Sequence, residues 1–229
     1  MEKTKISNKL NNSKQQAQKV AAFLKERYLT VQCPLDHKTA WQLLVATILS
    51  AQCTDERVNL TTPNLFARFP NSAATSKADL AEITSLLKSI NFFNNKAKNI
   101  LATAKKLELD FNGQVPNTME QLLTLPGVAR KTANVVLGNW YKINVGFTVD
   151  THVIRLSNRL GLTDKTDAVK IEQDLIQLWP QEDWSAMSLR LIFYGREVCT
   201  AKNPKCAICP LNDICPSAYL FVKPVPVKN

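Results

Sequence analysis

Four cysteines in the last fifth of the chain carry the clearest chemistry. Cys199, Cys206, Cys209 and Cys215 follow one another with six, two and five residues between them. Four thiolates on so short a loop can ligate one metal centre. Structural zinc takes the same ligands, but its sites are usually built from two close Cys-x-x-Cys pairs, and here there is one. The long, uneven spans wrap around something bulkier and favour a cubane iron–sulfur cluster. Pro204, Pro210 and Pro216 stiffen the loop. Lys202 and Lys205, between the first two ligands, are expected to project outward as a basic rim. Cys33 and Cys53 have no neighbouring cysteine and read as buried thiols.

A second pattern lies at Leu125-Pro126-Gly127-Val128-Ala129-Arg130-Lys131-Thr132-Ala133. A helix ends, glycine permits a tight reversal, and a new helix starts at once. The first turn of a helix exposes N–H groups without intrahelical partners, which bind phosphate oxygens. The stretch therefore reads as a helix–hairpin–helix, with Gly127, Val128, Ala129 and Arg130 as a sequence-independent phosphate grip. A tight helical corner without a ligand is the plain alternative. Ala129 stands where such hairpins usually carry a second glycine, so the turn there must be one that a Cβ can enter.

These sites need elements to hold them, and the periodicity is helical almost throughout. Ala17, Val20, Ala21, Leu24 and Tyr28 follow the i, i+3, i+4, i+7 stripe. Thr39–Gln42 and Thr118–Gln121 have the form of capping boxes, and Thr54 followed by Asp55 and Glu56 that of an N-cap. Pro63 is expected to kink the next helix or start a new one. Ser76 opens a segment with Leu80, Ile83, Leu87 and Ile90 on one face, and Ala97, Ile100, Leu101, Ala104 and Leu107 mark another helix. Asn112-Gly113 is a turn. Further helices are expected over 130–140, 151–160, 168–178 and 186–198. No stretch alternates with period two, so about ten helices make an all-α protein. Phe221–Asn229, with two prolines, reads as a loose tail.

The chain has 229 residues, 45% hydrophobic and 21% charged, which excludes wholesale disorder. No apolar run approaches the roughly 18 residues of a membrane span. The opening MEKTKISNKLNNSKQQ lacks the apolar core of a secretory signal, so disulfides are not expected. The net charge is +10, and it is uneven. Residues 1–30 carry seven basic and two acidic side chains, residues 31–189 sixteen and fifteen, and residues 190–229 six and two. Two basic ends suit a polyanion surface if they meet in the fold.

The hairpin, then Val149-Asp150-Thr151-His152, then Gly195-Arg196-x-x-Cys199 and the four-cysteine loop occur in that order. With Leu49-Ser50-Ala51-Gln52-x-Thr54-Asp55 and Asn94-x-Lys96-Ala97, the chain resembles the endonuclease III family from about Ala17 to Cys215. The departures are Ala129, Asn91 where the family commonly has glycine, and Pro63 within a usual helix. The resemblance implies two helical lobes. A six-helix barrel lobe with the hairpin would span 34–146. Residues 15–33 would join 147–215 in a discontinuous lobe carrying a [4Fe–4S] cluster, flanked by a basic flexible tail over 1–14 and a C-terminal tail over 216–229. DNA would lie across the cleft, and the two basic ends would come together.

The resemblance also assigns chemistry. Lys131 matches the family's nucleophile. The positive end of a helix dipole favours its free amine, which would attack C1′ of a damaged nucleotide, expel the base, form a Schiff base and cut the strand by β-elimination. Asp150 matches the catalytic carboxylate, a role compatible with capping the helix that follows. Gln52 lies at the wedge position and Phe92 at that of a second inserted side chain, since a base must leave the stack to be reached. His152 is a further candidate for contact with DNA, and packing is its alternative.

The implied function is excision of oxidised pyrimidines from double-stranded DNA, with AP lyase action at abasic sites. The expected setting is a bacterial, cytoplasmic, nucleoid-associated monomer with no membrane partner. Alternatives are an adenine or pyrimidine-dimer glycosylase on the same scaffold, or a non-catalytic helix–hairpin–helix protein. The usual adenine enzyme lacks a lysine at the hairpin, and retention of both Lys131 and Asp150 argues against a non-catalytic role.

Overall fold

A computed structural model describes the backbone of residues 2–221 and side chains from residue 12 onward. The described residues form eleven α-helices and no strand: α1 Glu2–Arg27, α2 Ala40–Leu49, α3 Asp55–Arg68, α4 Ser72–Ser76, α5 Leu80–Leu86, α6 Phe93–Phe111, α7 Met119–Leu122, α8 Arg130–Val136, α9 Thr151–Arg159, α10 Ala168–Leu175 and α11 Trp184–Glu197. The chain divides into two units, Cys33–Val145 and, from both ends, Met1–Gln32 with Gly146–Asn229.

The central unit is built around α2. Trp41 and Leu43 through Leu49 are all buried, so this helix is enclosed on every side. Helices α3, α6 and α8 pack against it. Thr39 is the N-cap, as expected, and its Oγ1 accepts from the Gln42 N–H; the return bond of the box is shifted by one residue, since Gln42 Oε1 accepts from the Lys38 N–H. Helix α6 buries Lys96, Ala97, Ile100, Thr103, Ala104 and Leu107 on one stripe, against α4 and α5. Asn112 closes it in a left-handed turn, and Gly113 follows with φ +74°.

One expectation narrows here and one changes. Pro63 does not start a new helix: it lies inside α3, which runs on to Arg68. One backbone hydrogen bond is lost, but Val58, Thr61, Thr62 and Leu65 are buried, and Asn59 ties the helix to the Pro34 carbonyl and the Asp36 N–H. Ser76 ends α4 rather than opening the next helix. Asp79 caps α5 by accepting from the Ala81 N–H, a short acidic side chain two residues before the donor.

The other unit joins the two ends of the chain. Helix α1 packs on α11, α9 packs on α11 and α10 packs on α9. Val20, Leu24, Phe147, Val153, Leu156, Ile171, Leu175, Met187, Leu191 and Tyr194 form its core. Each such side chain contributes about 1.5–3 kcal/mol on burial. Of the stretch expected as a basic tail over 1–14, residues 2–14 are taken into α1, which has no Gly or Pro there to stop it. Gln16 Nε2 donates to the Ile214 carbonyl at 2.6 Å. Lys25 pairs with Asp183 and Arg27 with Glu197. The C-terminal tail also starts later than expected: Ala218 is buried and the Phe221 ring lies under the Arg159 guanidinium at 4.5 Å. The rest of that tail, from residue 222, lies outside the described residues.

Candidate functional site

The hairpin is fixed from below by α6. Gly127 has φ +76°, which favours glycine, and a Cβ there would stand 2.8 Å from Asn99 Nδ2. Thr103 Oγ1 donates to the Pro126 carbonyl at 2.7 Å, and the Val128 N–H bonds the Leu125 carbonyl. Val128 is the buried anchor, while Gly127, Ala129, Arg130 and Lys131 are exposed. Ala129 is the N-cap of α8 with φ −98° and ψ 170°, an extended conformation open to any L-residue. That is how this hairpin works without its second glycine. Lys131 is therefore the second residue of α8, solvent-exposed on the first turn. Helix α8 passes directly into a π-helical turn at Leu137–Tyr141, so the continuous helix expected over 130–140 changes its winding near its end.

Asp150 is the N-cap of α9. Its Oδ1 accepts from the N–H groups of His152 and Val153, both at 2.8 Å, so Oδ2 is not used by the cap. The cap fixes where the carboxylate stands. His152, half-buried, faces Arg155: its Nδ1 lies 3.1 Å from Arg155 Nη2. Burial pushes the His152 imidazolium down, partly opposed by the Asp150 charge. Arg155 in turn donates to the Gly195 and Cys199 carbonyls, at 2.8 and 3.0 Å. At Gly195 helices α9 and α11 approach so closely that a Cβ would meet His152 and Leu156 at 3.1 Å.

The four cysteines line one pocket, together with Leu156, Leu160, Val198, Ala218 and Phe221. Among the described residues, no three His, Cys, Asp or Glu side chains gather as a single metal ion requires. The four cysteines line shared space, and their number and uneven spacing fit an iron–sulfur cluster. Arg159 faces this space: Nη1 lies 3.4 Å from Cys199 Sγ and also donates to the Thr200 carbonyl at 2.8 Å. Tyr194 Oη stands 2.9 Å from Cys209 Sγ. Burial, with the charge of neighbouring sulfurs, pushes the Cys206 and Cys215 thiols up. A cation, hydrogen-bond donors and an apolar wall are what a thiolate-bound iron–sulfur cluster needs. Lys202 and Lys205 are exposed, as the sequence predicts.

Gln52 and Phe92 are both exposed and both left-handed, with φ 53° and 56°. The structure joins their turns: Asn91 Nδ2 donates to the Gln52 carbonyl at 2.7 Å. Sequence reasoning missed Arg155, Arg159 and Tyr194 as supports of the cysteine loop. The signal was present in two arginines four residues apart on the helix that Asp150 caps.

The described residues thus combine an all-α fold, a glycine-turned helical hairpin and a four-cysteine loop. The model of the HhH-GPD superfamily of base excision DNA repair proteins matches residues 45–181, and that of the iron–sulfur binding domain of endonuclease III matches residues 199–215. An endonuclease III of Synechocystis sp. is 54% identical over 92% of this chain and 96% of its own length. That of Bacillus subtilis is 43% identical over 80% and 84%. A solved non-covalent endonuclease III–DNA complex superposes with a TM-score of 0.86 at 37% identity, over 90% of this chain and 97% of the other. The chain belongs to the endonuclease III family. It is a DNA glycosylase with AP lyase activity that binds duplex DNA and carries a [4Fe–4S] cluster. No helix among the described residues is long and apolar enough to cross a membrane.

Proposed function

We propose that Lys131 is the nucleophile and Asp150 the catalytic carboxylate, acting on oxidised pyrimidines and on abasic sites. The observation that carries this reading is an exposed amine on the first turn of α8, directly after the Gly127 hairpin. There the hairpin amides offer bonds to phosphate oxygens, which would bring the sugar of a bound nucleotide to the amine. The Lys131 lone pair forms a bond to C1′ while the glycosidic bond breaks, and the base leaves with that electron pair and a proton. Opening of the sugar ring, with O4′ taking the electron pair of its bond to C1′, gives an imine to Lys131. Loss of a proton from C2′ then breaks the C3′–O bond and cuts the strand. The Asp150 carboxylate, fixed by two amide donors, stabilises positive charge at C1′ and helps to take the lysine proton.

Cys199, Cys206, Cys209 and Cys215 hold the cluster. Neither amine attack nor elimination transfers electrons, so the cluster's part is to shape the loop that carries Lys202 and Lys205. Those lysines, with Gly127, Val128, Ala129, Arg130 and His152, face the DNA backbone, and Gln52 and Phe92 fill the gap left by the extruded base. The division of labour follows the lobes expected at 34–146 and at 15–33 with 147–215. We assign a monomer that works in the bacterial cytoplasm on nucleoid DNA.

The test is incubation with duplexes carrying thymine glycol, an abasic site or a pyrimidine dimer, with borohydride present. Covalent trapping on the first two, and none on the dimer, is the expected result. Trapping confined to the dimer moves the enzyme to the alternative substrate class.

A further inference from the structure

Four non-glycine residues of the described chain have a left-handed backbone: Gln52, Phe92, Asn112 and Lys142. Asn112 and Lys142 terminate helical segments, where that conformation is ordinary. Gln52 and Phe92 need another reason. Phe92 is an N-cap, a position normally extended, and has no side-chain capping bond. Its side chain is 61% exposed. Such backbone persists only where the surroundings over-determine it.

Two residues do so here. Asn91 reaches across thirty-nine positions to the Gln52 carbonyl. Lys96 is 6% exposed, and its Nζ donates to the Leu49 and Ala51 carbonyls at 2.8 and 2.6 Å. The Lys96 backbone N–H also bonds the Phe92 carbonyl. One lysine thus grips both turns, through its main chain on one side and its amine on the other. Burial pulls that amine below the ordinary lysine range, yet an uncharged amine still has two N–H donors for the two carbonyls.

We propose that Asn91 and Lys96 are positioning residues that staple the Gln52 and Phe92 turns into one preformed wedge, ready to enter the duplex as the damaged base leaves the stack. The staple rests on the reading that Gln52 enters the duplex. Its value is preorganisation: a side chain already held in its inserted geometry loses less freedom on binding. The bond from Asn91 to the Gln52 carbonyl is one that a residue without a side-chain donor cannot make.

The holoenzyme is tested in single-turnover excision of thymine glycol, either paired in a duplex or placed in an unpaired bulge, with 2-aminopurine beside the lesion to report extrusion. Asn91→Ala, at an exposed position, should keep the wild-type thermal midpoint. It should slow both extrusion and excision of the paired lesion by about three- to tenfold, the scale of one lost hydrogen bond. On the bulged lesion, already out of the stack, its rate should return to wild type. In a Gln52→Ala background, Asn91→Ala should slow excision by no more than about twofold further, because coupled residues are not additive. Lys96→Met keeps length and fills the same space, and should repeat the pattern; Asn91→Ala carries the test if that variant does not fold. Full additivity, or an equal defect on the bulge, overturns the staple. So does a wild-type rate for Asn91→Ala beside a slow Gln52→Ala, and then the wedge stands. If Gln52→Ala itself excises at the wild-type rate, the wedge reading fails and the staple with it.

Discussion

At the scale of single residues, the chemistry divides between an amine and a carboxylate, and each can be removed with little change of shape. Lys131→Gln keeps length and polarity. It should abolish both borohydride trapping and strand cleavage while abasic-site binding, measured by gel shift, stays within about threefold, because the hairpin amides remain. An adduct that still forms would assign the nucleophile to another amine. Asp150→Asn keeps an oxygen for the His152 and Val153 N–H groups, so the fold should lose no more than about 1 kcal/mol. Base release should slow by on the order of a hundredfold, with the lyase step on a ready-made abasic site less affected. Wild-type excision would leave Asp150 as a helix cap alone. His152 adds a pH dependence. Burial lowers its affinity for protons in the fold, so on acidification the unfolded chain takes up that proton first. Stability from this group is intact above about pH 6.5 and is lost as pH falls from there through the depressed folded value. His152→Gln should therefore flatten the fall of the thermal midpoint between pH 7.5 and pH 5. An unchanged slope would assign the acid sensitivity elsewhere.

At the scale of elements, the hairpin and the caps explain what could be read in advance. Thr39, Thr54 and Thr118 were legible as N-caps because a cap and its amide lie three residues apart. The cysteine spacing and the glycine turn were legible for the same reason. Pro63 left two outcomes open, a kink or a new helix, because a proline marks a weakened helix and tertiary burial decides whether it ends there; with Val58 and Leu65 buried, α3 continues. The Asn91–Gln52 and Lys96–Ala51 bonds span 39 and 45 positions, and no local pattern announces them. Arg159 was hidden likewise, its sulfur partner lying forty residues away. The hairpin itself is testable at Gly127. Gly127→Ala must adopt a positive φ and displace Asn99, and should cost about 1–3 kcal/mol in chemical denaturation. Affinity for undamaged duplex should fall with it. A variant as stable as wild type would show that the turn can re-form without positive φ.

At the scale of the whole molecule, charge and cluster govern what the enzyme does before it meets a lesion. Binding to undamaged duplex should weaken steeply with salt, each neutralised phosphate adding a log–log slope of about −0.9. Replacing Lys202 and Lys205 by alanine should flatten that slope by roughly one to two. An unchanged slope would take this loop off the DNA surface. Purified protein should be yellow-brown and contain about four irons per chain, and Cys206→Ser should lose them and open residues 199–215 to protease. One zinc and no iron in anaerobically prepared protein would sink the cluster assignment. The joining of both chain ends in one unit also has a consequence for synthesis on the ribosome. Helix α1, with Val20 and Leu24 on its apolar stripe, emerges well before α9 and α11, which lie beyond residue 146. At about 5–20 residues per second, that stripe waits on the order of ten seconds for its partners while the whole of Cys33–Val145 is made and can fold between. The nascent chain thus completes its middle before its beginning, and its first helix is the part that a chaperone at the exit tunnel would find uncovered.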